Sequence, residues 1–475
     1  MNKIGHRRVL DVVIVGAGPA GIFAAKRILQ SKKIGSVLIL DKGKDPILRN
    51  HRLPEQGNDP WNVHDIVSGG GGAGLFSDGK LVLNSNAGGK LDEHIPKQLA
   101  TSYIEYIDRT VHRLDGLSKL KIPDKSLQIK EMFQSSEGCD LNFKPLKVRH
   151  IGSQNLRSVL IRCFQELKRD PRCNVLFDTL VTDISKRKNW LVDTENRNGE
   201  MEEISAKKVI LCVGKEGSNW LSDIVQKQGG GVTPNRTYFG VRIETETNKI
   251  LGMKKLSHDP KLSIEFGDRT KIKTHCFCRN GEILPLKYDG LPLAGGHTWF
   301  TENNSEYNAE GFTNFGILLG DSSKTRFNYN DCRKYMEDVS AQTNGKLLVQ
   351  KLSDFRDGLE SRKSGISNVS KLSNNVRTGN LRKLELPFDF HEKLISFIDK
   401  LNGLDGVEID GNASLYAPSI EWWMDKINIS ENMETQADGL YVAGDGAGFS
   451  QGIVYAAMTG MRVADEIICK FDTTS

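Results

Sequence analysis

The first apolar stretch, Val12-Val13-Ile14-Val15, is uninterrupted by polar residues and stops at a glycine, as expected of a parallel strand covered on both faces. Ala20, Ala24 and Ile28 follow at helical spacing, so a helix is predicted after the turn, and "SVLIL" (36–40) reads as a second strand. Helical spacing of apolar residues returns over 92–117 and 154–169, while "VLFDTLVTDI" (175–184) and "KKVILCVG" (207–214) read as strands. From 232 to 415 the texture changes. There "YFGVRIETE", "LSIEFGD", "KTHCFC" and "NFGILLGD" predict strands of a mixed sheet, and "DCRKYMEDVSAQTNGKLLV" and "FHEKLISFIDKL" predict helices. A short strand at 440–443 precedes a closing helix, "IVYAAMTGMRVADEII", whose Ala456, Ala457 and Gly460 would let it pack closely. The predicted class is α/β: a discontinuous domain made of 1–231 and 416–475, interrupted by an α+β mixed-sheet insertion at 232–415.

The glycines between these elements add chemistry. Gly16, Gly18 and Gly21 stand in G-x-G-x-x-G spacing between the first strand and the first helix, with Pro19 and Ala20 opening that helix. In such a Rossmann-like turn the first glycine makes the bend, the second lets backbone approach a pyrophosphate, and the third lets helix and strand close up. The helix N-terminus then presents free N–H groups and partial positive charge to the anion. Asp41 ends the second strand twenty residues after Gly21, where an acidic group bonds an adenosine ribose and disfavours a 2′-phosphate; Lys42 adjoins it. A dinucleotide site is expected. The pattern does not choose between FAD and NAD.

Residues 439–445, "GLYVAGD", followed by "GAGFSQG" and the closing helix, resemble the second flavin motif of glutathione-reductase-like two-domain flavoproteins. The resemblance implies FAD, with Asp445 after Gly444 holding the ribityl chain and the helix N-terminus at Gly452 and Ile453 facing the pyrimidine ring. A helix N-terminus there would stabilise the negative charge of a reduced flavin. It also implies that Gly214 closes the strand leading to the substrate domain and that backbone near Val181 meets the adenine. The run Gly69 to Gly74 in "VSGGGGAGLFSDGK" lacks the spacing of a phosphate loop. On the same resemblance it runs along the isoalloxazine: backbone N–H groups around Gly72 and Gly74 would reach N5 and O4, Ser77 and Asp78 would bond ring or ribityl atoms, and Lys80 would reach the substrate side. The alternative is a linker, against which Phe76, Leu81 and Val82 argue.

"GGGGAGLFSDGKL", "HCFCRNGE" and "GLYVAGDGAGFSQGIVYAAMTG" together resemble uncharacterised FAD-dependent dehydrogenases over most of the chain. What this implies is an FAD-dependent dehydrogenase or reductase that moves hydride between flavin N5 and an unidentified small-molecule substrate. A flavin oxidase or monooxygenase and a non-catalytic FAD-binding protein stand as alternatives. The C-x-x-x-x-C of disulfide reductases, the G-D-A-A-H of aromatic hydroxylases, the W-x-W-x-I-P of tryptophan halogenases and the R-x-G-G of amine oxidases are absent. The second G-x-G-x-x-G spacing, Gly69, Gly71 and Gly74, belongs to the glycine run and opens no predicted helix, and Gly229 to Gly231 follow no strand pattern, so a separate NAD(P)H domain is not expected; NAD(P)H as reductant would bind transiently near the ring.

His297 in "AGGHTW" is a candidate proton donor, because imidazole titrates near neutrality, or else a structural histidine; Lys80 is the other catalytic candidate. The polar segment 353–380 reads as a solvated loop or as a lid whose Arg356, Arg362, Lys363 and Arg377 meet an anionic substrate. Trp422 and Trp423 wall a pocket or fill a core. Composition changes little: 38% hydrophobic and 26% charged residues are ordinary for a globular chain, and 475 residues suggest two or three domains. A net charge of +5 from 65 basic and 60 acidic residues, without blocks, gives no reason to expect a nucleic-acid partner. No apolar run reaches the roughly 18 residues of a membrane span. The 8 cysteines contain no C-x-x-C, so neither a disulfide framework nor a metal site is expected, and free thiols point to a cytoplasmic setting. Cys276 and Cys278 share one face of a predicted strand, either redox active or a plain strand pair.

Overall fold

A computed structural model describes residues 9–50, 65–85, 89, 91, 93–115, 140–288, 290–298, 311–321, 327–366, 375–422 and 424–473. The chain forms two compact units, one of Met1–Leu120, Arg149–Pro234 and Trp423–Ser475, the other of Lys121–Val148 and Asn235–Trp422. These limits differ from the expected ones in three places. Residues 232–234 stay in the first unit, where Val232 and Thr233 pair with Ile427 and Lys426. A short strand, Asn142–Lys144, pairs antiparallel with Lys261–Glu265 and so belongs to the second unit. The strand Ser414–Trp422 runs unbroken past 416 and keeps 416–422 there too.

The first unit contains β1 (Leu10–Val15), α1 (Pro19–Gln30), β2 (Val37–Leu40), α2 (Lys97–Asp115), α3 (Ser153–Arg169), β3 (Cys173–Leu176), β4 (Thr179–Lys186), β5 (Trp190–Asn196), β6 (Met201–Leu211) and α4 (Ser218–Lys227). The strand Leu440–Val442 and the C-terminal helix Ile453–Thr473 return to it. Its sheet runs β3-β2-β1-β6-β5-β4, with Leu440–Val442 also pairing β6. Strands β3, β2, β1 and β6 and the returning strand are parallel, whereas β4, β5 and β6 form an antiparallel meander. Val12, Val13 and Ile14 are fully buried, as an all-apolar parallel strand must be. The stretch expected as one strand at 175–184 breaks at Phe177-Asp178, where Asp178 takes φ 50° and donates its N–H to Gly43 O (2.9 Å). Gly229–Gly231 follow α4, a helix, in keeping with the absence of a dinucleotide strand before them.

The second unit contains β7 (Thr237–Glu246), β8 (Lys261–Glu265), β9 (Thr270–Cys278), β10 (Glu282–Tyr288), β11 (Leu291–His297), β12 (Phe312–Asp321), α5 (Tyr329–Thr343), β13 (Leu347–Lys351), β14 (Val376–Thr378), α6 (Phe390–Asn402) and β15 (Ser414–Trp422). A mixed sheet runs β14-β13-β15-β7-β12-β9-β8 and ends on Asn142–Lys144; β10 and β11 form a separate hairpin. Alternation along β7 and β12 sends Phe239, Val241, Ile243, Phe315, Ile317 and Leu319 into one core together with α5 and α6 residues such as Tyr335 and Phe397. Arg242, Glu244 and Asn314 occupy the alternate positions and are buried as well.

The helix expected to run through "NGKLLV" stops at Asn344, which takes a left-handed conformation (φ 57°, ψ 51°), and Leu347–Lys351 continue as a buried strand. The polar segment 353–380 is partly structured: Leu352–Arg356 is helical, β14 lies at its far end, and Arg356 pairs with Asp399 (2.5 Å). Its portion at 367–374, Trp423, the side chain of Trp422, and residues 92, 116 and 117 of the expected second helix lie outside the described residues. Among the described residues, no helix is long and apolar enough to cross a membrane.

Candidate functional site

The site is built in the first unit, where two glycine turns and a glycine-rich loop meet. Gly16 continues the ladder by donating to Leu40 O (2.7 Å) and bends at φ 108°; a Cβ there would overlap the Cys212 carbonyl. Gly18 is the N-cap of α1 and supplies no side-chain cap, with Pro19 at the first helical turn. An uncapped helix start of this kind keeps its first amides for an outside acceptor. Gly21 closes on the Gly16 carbonyl, which seats α1 against β1. Ala20 is buried under Gly444 and under the C-terminal helix, where Gly460 closes on the Ala20 carbonyl.

Asp41 organises this turn. Its Oδ2 accepts the Ala17 N–H (2.8 Å) and its Oδ1 accepts the Gly43 N–H (2.8 Å). Burial pushes its carboxyl up, against the two amides, Arg49 and Lys42, which favour the anion. Each carboxylate oxygen retains a further lone pair for a ligand hydroxyl. Lys42 is turned to Glu216 (2.5 Å), whose other oxygen accepts from Ser68. The start of β4 is tied to the same corner, Thr179 N–H donating to Asp41 O (3.0 Å), and brings Val181, buried, onto that strand two residues later.

The glycine run is a packed loop. Gly71 donates its N–H to Ala17 O (2.8 Å), Gly70 to Lys44 O (3.0 Å) and Gly72 to Gly69 O (2.8 Å). These amides are therefore engaged by the protein, a correction to the expectation that the N–H groups around Gly72 point at a ligand ring. At Gly72 backbone meets backbone, a Cβ there standing 3.1 Å from Gly18 Cα; at Gly74 a Cβ would press on side chains, 3.2 Å from Ile453 and 3.4 Å from Pro19. Beneath the loop lies Arg49, 2% exposed. Its Nη1 donates to the carbonyls of Gly69 (3.2 Å), Gly70 (2.6 Å) and Gly72 (2.8 Å), and its Nε to Asp65 O (2.9 Å). Its guanidinium also lies over the Phe76 ring, 5.1 Å from the centroid. Burial lowers its pKa to about 10, partly offset by Asp41 and Asp65. Sequence reasoning passed over Arg49; a lone arginine in "PILRN" carries no local signal.

The second turn is made by the returning strand. Ala443 N–H continues the ladder to Leu211 O (2.9 Å), and Gly444 donates to Thr459 Oγ1 (2.8 Å). Gly446 packs on the Gly214 carbonyl, so this turn sits on the end of β6. Asp445 accepts from Ser450 Oγ (2.8 Å) and from the Gly452 N–H (3.1 Å) at the head of the C-terminal helix. Its carboxyl is pushed up by burial, opposed by Lys215 and by those two donors. At Gly214 and Gly452, both at positive φ, a Cβ would meet nothing within 4 Å, so both turns face open space.

The S-D-G-K stretch forms an ionic cluster. Lys80 Nζ lies 2.9 Å from Asp78 Oδ2, and His150 Nε2 stands 3.8 Å from the same oxygen. Asp78 Oδ1 also accepts the Lys80 N–H (3.3 Å), while Ser77 Oγ accepts the Gly79 N–H (3.3 Å). Burial alone would raise the Asp78 carboxyl, but Lys80 and His150 outweigh it and hold it well below the usual carboxylate range. Asp78, expected to bond ring or ribityl atoms, is thus already paired within the protein. His150, a member of this cluster, was not singled out from sequence. His297, the other catalytic candidate, ends β11 in the second unit, buried and paired across the hairpin with Glu282.

The structure therefore assembles Gly16, Gly18, Pro19, Ala20, Gly21, Asp41, Gly72, Gly74, Gly214, Gly444, Asp445, Gly452 and Ile453 around adjoining turns of one unit. No protein-family profile matches the chain. A protein of Clostridium beijerinckii described as uncharacterised is 24% identical over 504 residues, covering 97% of this chain and 81% of that one. Similar solved structures include a flavoprotein/dehydrogenase from Cytophaga hutchinsonii, 12% identical with TM-score 0.39 over 98% of this chain and 79% of that chain. The apo Sdh1 complex of Mycobacterium smegmatis is 14% identical with TM-score 0.43 over 98% and 69%.

Proposed function

We propose that the first unit binds FAD and that the protein is an FAD-dependent dehydrogenase or reductase. One observation carries this reading: the glycine turn that opens the chain and the G-D turn near its end, more than 400 residues apart, close on each other through Gly444 against Ala20 and Gly460 against the Ala20 carbonyl. A mononucleotide-binding turn alone has no need of the second.

The residues suit the cofactor. The uncapped N-terminus of α1 behind Gly18 would take the pyrophosphate. Asp41, with a lone pair left on each oxygen, would accept a ribose hydroxyl. Asp445 is an enclosed carboxylate with an elevated pKa, a group that gains from a further hydroxyl donor such as those of a ribityl chain. The head of the C-terminal helix at Gly452 and Ile453 would favour negative charge on the pyrimidine side. When bound, the isoalloxazine supplies two-electron hydride chemistry.

The chain's own work is to hold and to manage a proton. Arg49 would hold the glycine loop in place through the carbonyls of Gly69, Gly70 and Gly72. Lys80 keeps its ammonium 2.9 Å from the Asp78 carboxylate, which would orient it as the proton-carrying side chain of this stretch. The substrate is a small molecule.

The test is direct. Purified protein should be yellow with flavin absorbance, and acid release should yield FAD. Asp445→Ala should lose the cofactor while keeping its circular dichroism. Colourless protein that FAD cannot reconstitute, or full retention of flavin by Asp445→Ala, would overturn the assignment. Anaerobic mixing with NADH or NADPH, read as flavin bleaching, then identifies the reductant, and peroxide release in air distinguishes an oxidase from a dehydrogenase.

A further inference from the structure

The second unit holds a feature that flavin binding does not use. Cys276 and Cys278 lie at the end of β9, where the register with β12 shifts between His275 and Cys278. Cys276 adopts φ 47°, a left-handed conformation that a non-glycine residue rarely takes inside a strand. In a regular strand, residues two apart share a face but stand parallel; the bulge turns these two toward each other, and their sulfurs approach to 3.9 Å. A disulfide needs a sulfur separation of about 2.05 Å, so closure asks for a movement of roughly 2 Å, within the reach of side-chain rotation.

Arg242 makes the pair chemically distinct. This arginine is 2% exposed. Its Nε donates to Asn314 Oδ1 (2.5 Å), and its Nη2 donates to Cys276 O (2.6 Å) and to Cys278 Sγ (3.0 Å). Asn314 Oδ1 and Cys276 O are uncharged, so on losing its proton Cys278, whose Sγ also lies 3.5 Å from Cys276 O, would give the buried guanidinium a counter-charge. Gly296, in the "AGGH" stretch of β11, makes the seat: a Cβ there would overlap the Arg242 guanidinium. Elsewhere burial works against reactivity. It pushes the Cys163 thiol up to about 11 and the Cys173 thiol up to about 12, and raises Cys212 and Cys332 as well. Cys276 is partly exposed, whereas Cys278 is buried.

We propose that Cys276 and Cys278 form a thiol–disulfide exchange site that takes low-molecular-weight disulfides, with Cys276 as the attacking thiol and Cys278, held by Arg242, as the resolving one. Cys276 loses its proton and attacks one sulfur of an external disulfide, releasing one thiol and leaving a mixed disulfide. Cys278, as thiolate, then attacks the Cys276 sulfur and expels the second thiol. One external disulfide bond is broken, one internal bond forms, two electrons pass to the external molecule, and the Cys276 proton together with one taken from solvent ends on the two released thiols. The site does not depend on the flavin reading.

The experiment uses the full chain equilibrated with graded ratios of reduced and oxidised glutathione, trapped with N-ethylmaleimide and mapped by peptide mass. The expected result is that the peptide carrying both cysteines switches from two alkylations to none, with a mass two hydrogens lower, as one two-electron transition. Cys469, exposed, should show only a glutathione adduct, and the buried Cys163 and Cys212 should stay unmodified until denaturation. Cys278→Ser should trap a glutathione adduct on Cys276, and Cys276→Ser should leave Cys278 without one. Arg242→Lys, checked for folding by circular dichroism, should let the Cys276 adduct persist about tenfold longer. Two alkylations at every ratio, or a stable adduct in the unaltered protein without closure, would overturn the proposal.

Discussion

Gly72 rests on Gly18: a Cβ on Gly72 would stand 3.1 Å from the Gly18 Cα, and Gly72 is held at φ 57°. Gly72→Ala should therefore suffer twice, from the left-handed backbone and from backbone that cannot yield, at ~1–3 kcal/mol. Gly199→Ala provides the comparison, because Gly199 has φ 76° but a Cβ there meets nothing within 4 Å. Its cost should be about 1 kcal/mol from conformation alone. Urea unfolding of both measures the difference, and equal losses would mean that the loop does not press on the turn.

Arg49→Met should remove the buried donor from the carbonyls of Gly69, Gly70 and Gly72 and leave them short of partners. Gly69 O keeps the Gly72 N–H, so two acceptors lose Arg49 as donor, and at about 1–3 kcal/mol each a loss of roughly 2–6 kcal/mol is expected. The loss should be local: hydrogen exchange at residues 68–77 should quicken well before that of β1, and flavin should be bound more weakly. Uniform protection in the variant would refute the role given to Arg49.

Lys80 and Asp78 form a double-mutant cycle. Lys80→Met leaves a buried carboxylate with a weaker partner in His150 and should destabilise by about 3 kcal/mol. Lys80→Met combined with Asp78→Asn removes both charges and should recover most of that loss. If Lys80 handles the proton, turnover stays low in the double variant despite restored stability. Recovery of activity along with stability would assign the pair to structure alone.

His275 makes folding stability depend on pH. Burial lowers its pKa from the ordinary 6.5 to about 4, against the attraction of Glu421 and with Lys261 and Lys273 adding to the depression. The folded state thus holds His275 neutral where the unfolded chain would bind a proton. Its contribution is fully present above pH 6.5 and is lost as pH falls through about 4. His275→Gln should flatten the stability profile in that window, by at most about 3 kcal/mol at its acid end. An unchanged slope between wild type and variant would contradict the neutral state.

Parts of the site were legible because they depend on local order. Gly16, Gly18 and Gly21 have their spacing set by one strand–turn–helix, and the same holds for Gly444, Asp445 and the helix after Gly452. Other parts were not. The run Gly69–Gly74 signals close approach but not its partner, and the partner is another backbone, at Ala17 and Gly18. Asp78 looked available until folding brought His150 to it from 72 residues away. Arg49 and Arg242 carry no signal, since an arginine is usually exposed and these are buried against carbonyls or an amide and a thiol from distant segments.

Periodicity and turn residues, each acting over a few positions, settle that this chain builds an interrupted α/β domain around two glycine turns with a mixed-sheet insertion between them. Contacts across the chain settle the rest: that α1 and the C-terminal helix close on each other through Gly460 and Ala20, that Asn142–Lys144 pairs with a strand that begins more than 100 residues later, and that Cys276 and Cys278 converge under Arg242. The reason is physical. A strand or a turn is chosen by the torsions and burial of neighbouring residues, whereas which charge meets which carbonyl is chosen by packing among elements that the linear order keeps apart.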